Sequence, residues 1–319
     1  MHLTNWSRRL ATTFAAALLA ASSFAAPALA EEEPPEAAAV ETEAQAGADE
    51  EPNHGALSIT FDSTFTTAYM WRGVINQHSG VIWQPSLELS LNLFEAEDGY
   101  VRSVDLGVGT WLSLQSKDSG LFAPGSDGVY ETDYYPSLSI AWACGLTTDL
   151  TYYFYTSPNN SFDTIEELAI DLAYDDSELL GAWAMNPNAT LSFETKSSSF
   201  GDGKGASLEL GIEPGGEVTL PFDEAGDYPI GITVPIRIGL SVDGYYADGS
   251  RDETFGYFLF GLHASVPMAC VPERFGVLSL TNGFDVWVVN DAIEAYTRDE
   301  FGVYDAVVPV WTTSLTLEY

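Results

Sequence analysis

From Asp305 to the last residue, Tyr319, apolar and polar side chains alternate with a period of two. Val307, Pro309, Trp311, Leu315, Leu317 and Tyr319 fall on one side, and Thr312, Ser314, Thr316 and Glu318 on the other. Successive side chains of an extended chain point to opposite faces, so this stretch is a strand whose two faces meet different surroundings. Strands of soluble domains mostly stop after five or six residues, whereas a tilted strand crossing a bilayer needs about 9–11. The same long alternation recurs along the chain. It marks strands at 57–71, 81–93, 104–114, 130–142, 150–154, 168–174, 182–195, 206–213, 230–242, 254–267, 275–289 and 304–319. The sequence therefore predicts an all-β chain folded as a single transmembrane antiparallel up-and-down β-barrel of about 12 strands, within a range of roughly ten to fourteen.

Long polar connections at 73–80, 116–129, 156–164, 196–205, 244–253 and 290–303 alternate with mostly shorter ones at 95–100, 144–146, 175–181 and 268–274. A barrel with long loops outside, short turns inside and both termini on the inner side has this pattern. The connection at 214–229 is longer than the pattern allows. A soluble barrel also has one apolar face, but it points inward. Here mid-strand charges such as Glu88, Asp105, Asp171, Arg237 and Asp243 sit on the polar face. Tyr69, Trp71, Trp83, Tyr130, Trp142, Tyr174 and Tyr319 gather toward strand ends, as interfacial girdles do.

The N-terminal region reads differently. Residues 1–30 have the form of a signal peptide: Arg8 and Arg9, a short apolar run from Leu10 to Ala21, and Ala28-Leu29-Ala30 as a cleavage site. Residues 31–56 are Ala-, Glu- and Pro-rich, with nine acids and no Lys or Arg, and are expected to form a disordered acidic linker. Residues 57–319 remain for the barrel. The formal charge is −36; setting aside the two leader arginines and the nine linker acids leaves −29 on the body. Nucleic-acid binding needs basic patches and is excluded. Such acidity suits a protein that meets cations.

Cys144 and Cys270 are the two cysteines, and His54, His78 and His263 are scattered, so no structural zinc site is readable. An oxidising envelope permits a Cys144–Cys270 disulfide, while their placement in hairpins on opposite sides of a barrel opposes it. The run Asp248–Glu253 lacks the ligand spacing of a calcium loop and reads as solvated. No metal or other cofactor is expected.

Within residues 63–155 stand Tyr69-Met70-Trp71-Arg72-Gly73-Val74, Gln77, Pro85, Gly109-Thr110-Trp111-Leu112-Ser113, Glu131-Thr132-Asp133-Tyr134 and Tyr152-Tyr153-Phe154-Tyr155. In these residues the chain resembles a family of outer-membrane channel proteins, the TorF or Gcw type. The resemblance covers about the first half of the barrel and is generic beyond it. It implies a barrel with a channel role. The acidic linker and the terminal tyrosine depart from the family pattern.

The strand register directs Asp62, Glu88, Asp105, Glu131, Asp133, Asp149, Glu167, Asp171, Glu194, Glu209, Asp243 and Asp285 inward, against the bases Arg72, Lys196 and Arg237, with His263 and Trp111 on the same face. These are the expected pore-lining residues, with Arg72 and Arg237 read as salt-bridged struts rather than substrate contacts and Trp111 as either narrowing the passage or filling space. The expected function is a cation-preferring outer-membrane channel for small hydrophilic solutes, without catalysis. Its expected partners are outer-membrane lipids, the solutes or cations themselves, and the barrel-assembly machinery, which would read the last strand. Two alternatives differ in class. His263-Ala264-Ser265 resembles the His-x-Ser arrangement of outer-membrane phospholipases, with no third group identifiable to orient the imidazole. A soluble periplasmic barrel binding an apolar ligand inside is the other.

Overall fold

A computed structural model describes residues 55–117, 128–200, 203–218, 229–248, 251–268, 271–295 and 306–319. Twelve antiparallel strands follow one another up and down and close on themselves. They are β1 (Leu57–Thr66), β2 (Ile82–Glu95), β3 (Val101–Gln115), β4 (Gly128–Trp142), β5 (Leu146–Thr156) and β6 (Ile165–Tyr174). Then come β7 (Asn188–Lys196), β8 (Ala206–Ile212), β9 (Ile230–Thr233 continuing as Ile236–Asp243), β10 (Phe255–Pro267), β11 (Val277–Val289) and β12 (Val307–Glu318). Closure is made between β1 and β12, from Thr60 opposite Glu318 to Thr66 opposite Thr312. Ile59 and Tyr319 exchange both backbone hydrogen bonds at 2.7 and 2.8 Å, so the last residue is part of the seam. A closed ladder leaves no unpaired edge.

The period-two pattern is realised in space. Every strand presents at least one large apolar side chain to the exterior, among them Phe61, Leu89, Val108, Tyr134, Leu150, Leu172, Phe193, Leu210, Val242, Leu262, Phe284 and Trp311. Among the described residues no helix is long and apolar enough to cross a membrane.

Several boundaries differ from the sequence expectation. Residues 182–187 do not belong to β7: Ser177–Leu180 is a helical turn and Gly181–Trp183 a 3-10 turn. The overlong connection after β8 is partly strand, because Gly215–Val218 pairs with Ile230–Thr233 and prolongs the β8–β9 hairpin. Pro214 and Pro235 interrupt the two strands of that hairpin, since proline has no N–H to donate to the ladder. Cys144 is an exposed free thiol in the turn after β4, and Cys270 lies outside the described residues, as do Gly249 and Ser250 of the acidic run.

The largest departure follows β1, which stops at Thr66 instead of running to Trp71. Tyr69–Trp71 and Val74–Gln77 form a small hairpin of their own. It turns at Arg72 and Gly73, both with positive φ, a conformation glycine adopts readily and arginine only under constraint. Tyr69 and Trp71 were expected on the outer face. Instead Tyr69 is buried and packs against Trp111 and Tyr130, while Trp71 packs against Tyr155. Tyr130 too was expected outside. A register shift between Ser113 and Leu114 places a bulge in β4 at Tyr130, which turns its ring inward onto Tyr69 and Phe162.

Candidate functional site

The hairpin of residues 69–77 is the first part of the site, because its side chains reach strands on all sides. Tyr69 donates its phenol proton to Glu131 on β4 at 2.8 Å. Arg72 forms a two-pronged pair with Glu167 on β6, at 2.6 and 2.7 Å, and donates to Ser192 on β7 at 2.8 Å and to the Tyr245 hydroxyl at 3.0 Å. Gln77 donates to Gln115 at the end of β3. A side chain on Gly73 would meet Tyr257 of β10 at 3.1 Å and Val289 of β11 at 3.3 Å. Only a segment lying inside the barrel can touch β3, β4, β6, β7, β10 and β11 together. The hairpin therefore crosses the lumen at the loop end of the barrel.

Further groups pack around it. Val74, Phe200, Tyr245, Tyr246, Tyr257, Leu259, Val289 and Ile293 form one buried apolar cluster. Tyr246 donates to the Arg72 carbonyl at 3.2 Å, which fixes the turn. Ile293 is delivered by a helical turn at 291–295, and its amide is capped by the Asn290 side-chain oxygen at 2.7 Å. Burial would by itself lower the affinity of the Arg72 guanidinium for its proton; Tyr245 and Glu167 outweigh it and hold the group above its ordinary pKa. Burial, then Glu131 and Asp133, push the Tyr69 phenol well above its usual range, so it remains a neutral donor.

Beneath the hairpin lies a cavity of about 520 Å³. Its wall contains Glu88, Asp133, Asp171 and Asp285, Arg72 from above, and the aromatic side chains Trp71, Trp111, Tyr135, Tyr153, Tyr155 and Trp287. Because β2, β4, β6 and β11 each contribute an acid, the walls face one another across the barrel. Gly109 makes room for this arrangement: the Tyr135 ring lies directly over it, where any Cβ would collide.

The sequence-predicted residues thus separate into groups. Arg72, Glu88, Trp111, Asp133, Asp171 and Asp285 meet in the cavity. Glu131, Glu167 and Glu194 are buried, and their carboxylates are engaged: Glu131 by Tyr69, Glu167 by Arg72, and Glu194 by the amides of Ser199 and Gly205. Arg237 bridges to Glu209 at 3.3 Å and Glu213 at 3.9 Å, and Tyr257 also donates to Glu209. Asp62 accepts from Thr64 and Thr316, and Asp105 from Asn92 and Ser103. Asp149 stands opposite Asp171 in the β5–β6 ladder. Asp243 is exposed at the end of β9, and Lys196 is exposed on Glu166, whose other oxygen accepts from Tyr152.

His263 has an orienting partner that the sequence did not reveal, Asp285 on β11 at 3.0 Å. Ser265 instead accepts from Thr281 at 3.0 Å. Among the described residues no cluster of His, Cys, Asp and Glu could hold a metal ion. The aromatic groups Tyr130, Phe162, Phe200, Tyr245, Tyr246 and Tyr257 were missed as parts of the interior. The available signal was the break in alternation at Thr66-Thr67-Ala68 together with the aromatic pair inside the 244–253 loop.

No protein-family model and no curated protein matches this chain. Among solved structures it is similar to an outer membrane channel from Pseudomonas putida F1, at 10% identity over 85% of this chain and 98% of that one, with a TM-score of 0.44. The β domain of the Bordetella autotransporter BrkA is similar at 11% identity, over 84% of this chain and 99% of its own, with a TM-score of 0.42. The NanC porin follows at 9% identity, over 81% of this chain and 98% of its own, with a TM-score of 0.40.

Proposed function

We propose that this protein is a porin-like channel of a bacterial outer membrane that prefers small cationic solutes, with a lumen narrowed by its first loop. The observation that carries the reading is the combination of one apolar exterior and one acidic interior on the same twelve strands. A soluble protein rarely exposes large apolar side chains on every face, whereas a barrel in lipid must. The resemblance to outer-membrane channels of the TorF or Gcw type points the same way, and the leader at residues 1–30 and the terminal strand fit export and membrane insertion. Both Arg72 and Arg237 are spent on carboxylates, which supports their reading as struts and leaves the cavity acids to set the field. The test is reconstitution in a planar bilayer. Discrete conductance steps from a verified folded barrel are expected, and their absence at all voltages would sink the channel reading.

One observation favours a second reading. Asp285 supplies the orienting group that a His263/Ser265 esterase needs. Against it, the Ser265 hydroxyl is engaged by Thr281 and the pair shares the inward face with Gly261, whose position lies against Asp285. Esterase activity that disappears in Ser265→Ala would establish the enzyme instead.

A further inference from the structure

We propose that the cavity beneath the hairpin is a binding site for an organic cation, an ammonium group carried on a flat apolar body, with Asp133 as its principal anchor. The inference deepens the channel reading and rests on it only for the route by which the ligand arrives. Asp133 is 7% exposed, and its Oδ1 is buried without a hydrogen-bond partner among the described residues. A buried polar oxygen without a partner is costly, and native structures rarely leave one so. The rest of its carboxyl group is engaged, by the Thr156 backbone and by the Glu131 carboxyl group, itself an acceptor from Tyr69. Neither carboxylate can satisfy the other when both are ionised, but an N–H donor entering from the cavity satisfies Asp133 directly.

The remaining wall selects the kind of cation. Trp111, Tyr135, Tyr153 and Trp287 line it with aromatic rings, and Glu88 adds a further, exposed carboxylate. Aromatic faces attract cations through the ring quadrupole, most strongly where water is excluded. The site already contains an internal example, since the Arg72 guanidinium lies 4.7 Å from the Trp71 ring centre. A hydrated inorganic ion gains little from indole and phenol walls and would need several oxygen ligands converging at short range. The described residues contain no such cluster. The volume, about 520 Å³, is that of pockets which enclose small organic ligands.

The test is calorimetric titration of the whole refolded protein in detergent with phenethylamine, 2-phenylethanol, phenylacetate and KCl at neutral pH. Phenethylamine, charged under these conditions, is expected to bind at least tenfold more tightly than the neutral alcohol, and phenylacetate and K⁺ not at all. Asp133→Asn, which preserves shape, should weaken phenethylamine at least tenfold. If that variant does not fold, Glu88→Gln should weaken it at least threefold. Equal binding of the alcohol, or affinity unchanged in whichever variant folds, overturns the site; in that event Asp133 and Glu131 share a proton instead of awaiting a cation. A barrel that conducts cations but binds no phenethylamine refutes this inference and leaves the channel standing. Binding by a barrel that never conducts supports the site and refutes the channel.

Discussion

Glu167 shows what one residue contributes here. Its side chain is wholly buried, and its charge is tolerable only because the Arg72 fork meets both oxygens. Removing one partner of such a pair costs about 3–5 kcal/mol, since the survivor is left buried and unpaired. Arg72→Met should therefore lower stability by that order in a urea titration of the detergent-solubilised barrel. Arg72→Met combined with Glu167→Gln should restore a substantial part of it. A single variant as stable as the parent would show that the hairpin leaves the lumen in solution. At this scale the sequence was only partly informative. That Arg72 faced acids could be read from register, but its partner could not, because Glu167 is reached across the barrel and not along a neighbouring strand. Asp285 beside His263 is a similar case: the contact depends on the β10–β11 register, which alternation alone leaves undefined.

Among elements, the strands and the hairpin contrast. Strand alternation is a one-dimensional property, so β2, β3, β10 and β12 lie close to where the pattern put them. Leu89 faces outward and Ser90 inward on β2, and the difference is testable. Leu89→Arg, at mid-strand, should cost about 2–4 kcal/mol, whereas Ser90→Arg should be tolerated and alter conduction. Opposite outcomes, measured by urea midpoint and gel mobility, would mean that β2 is shifted by one residue. The hairpin escaped the same reading because Tyr69, Met70 and Trp71 resume an alternating pattern after the break at Thr66-Thr67-Ala68, and nothing local says that the chain has turned inward. Tyr130 was misassigned for a related reason, since a bulge inserts an extra residue whose side chain leaves the alternation, and composition does not mark it. The hairpin's role has its own test. Replacing residues 69–77 with a short Gly/Ser link should enlarge the conductance steps, and steps of unchanged size would mean that the narrowest point lies elsewhere.

At the scale of the whole molecule, the closed ladder and the charge inside it decide the behaviour. Because both edges are consumed in the β1–β12 seam, the folded barrel should resist detergent until boiled and migrate differently in unheated and boiled gel samples. The sign of its selectivity follows from an asymmetry in pairing. Among the described residues, Arg72 and Arg237 each already bind carboxylates, so their fields are largely cancelled at short range. Glu88, Asp133, Asp171 and Asp285 line the cavity, and among the described residues none of them forms a salt bridge with Arg or Lys. A narrow passage in a low-dielectric wall concentrates such an excess, drawing cations in and turning anions away. The preference should weaken as salt rises, because the Debye length falls from about 10 Å at 0.1 M to about 3 Å at 1 M. Under a KCl gradient across a planar bilayer, the reversal potential should have the sign of a cation-selective pore. Combining Glu88→Gln with Asp171→Asn should move it toward zero without closing the channel. A potential of the anion-selective sign would mean that the cavity acids are neutralised in place, and that the field is set by other residues along the passage.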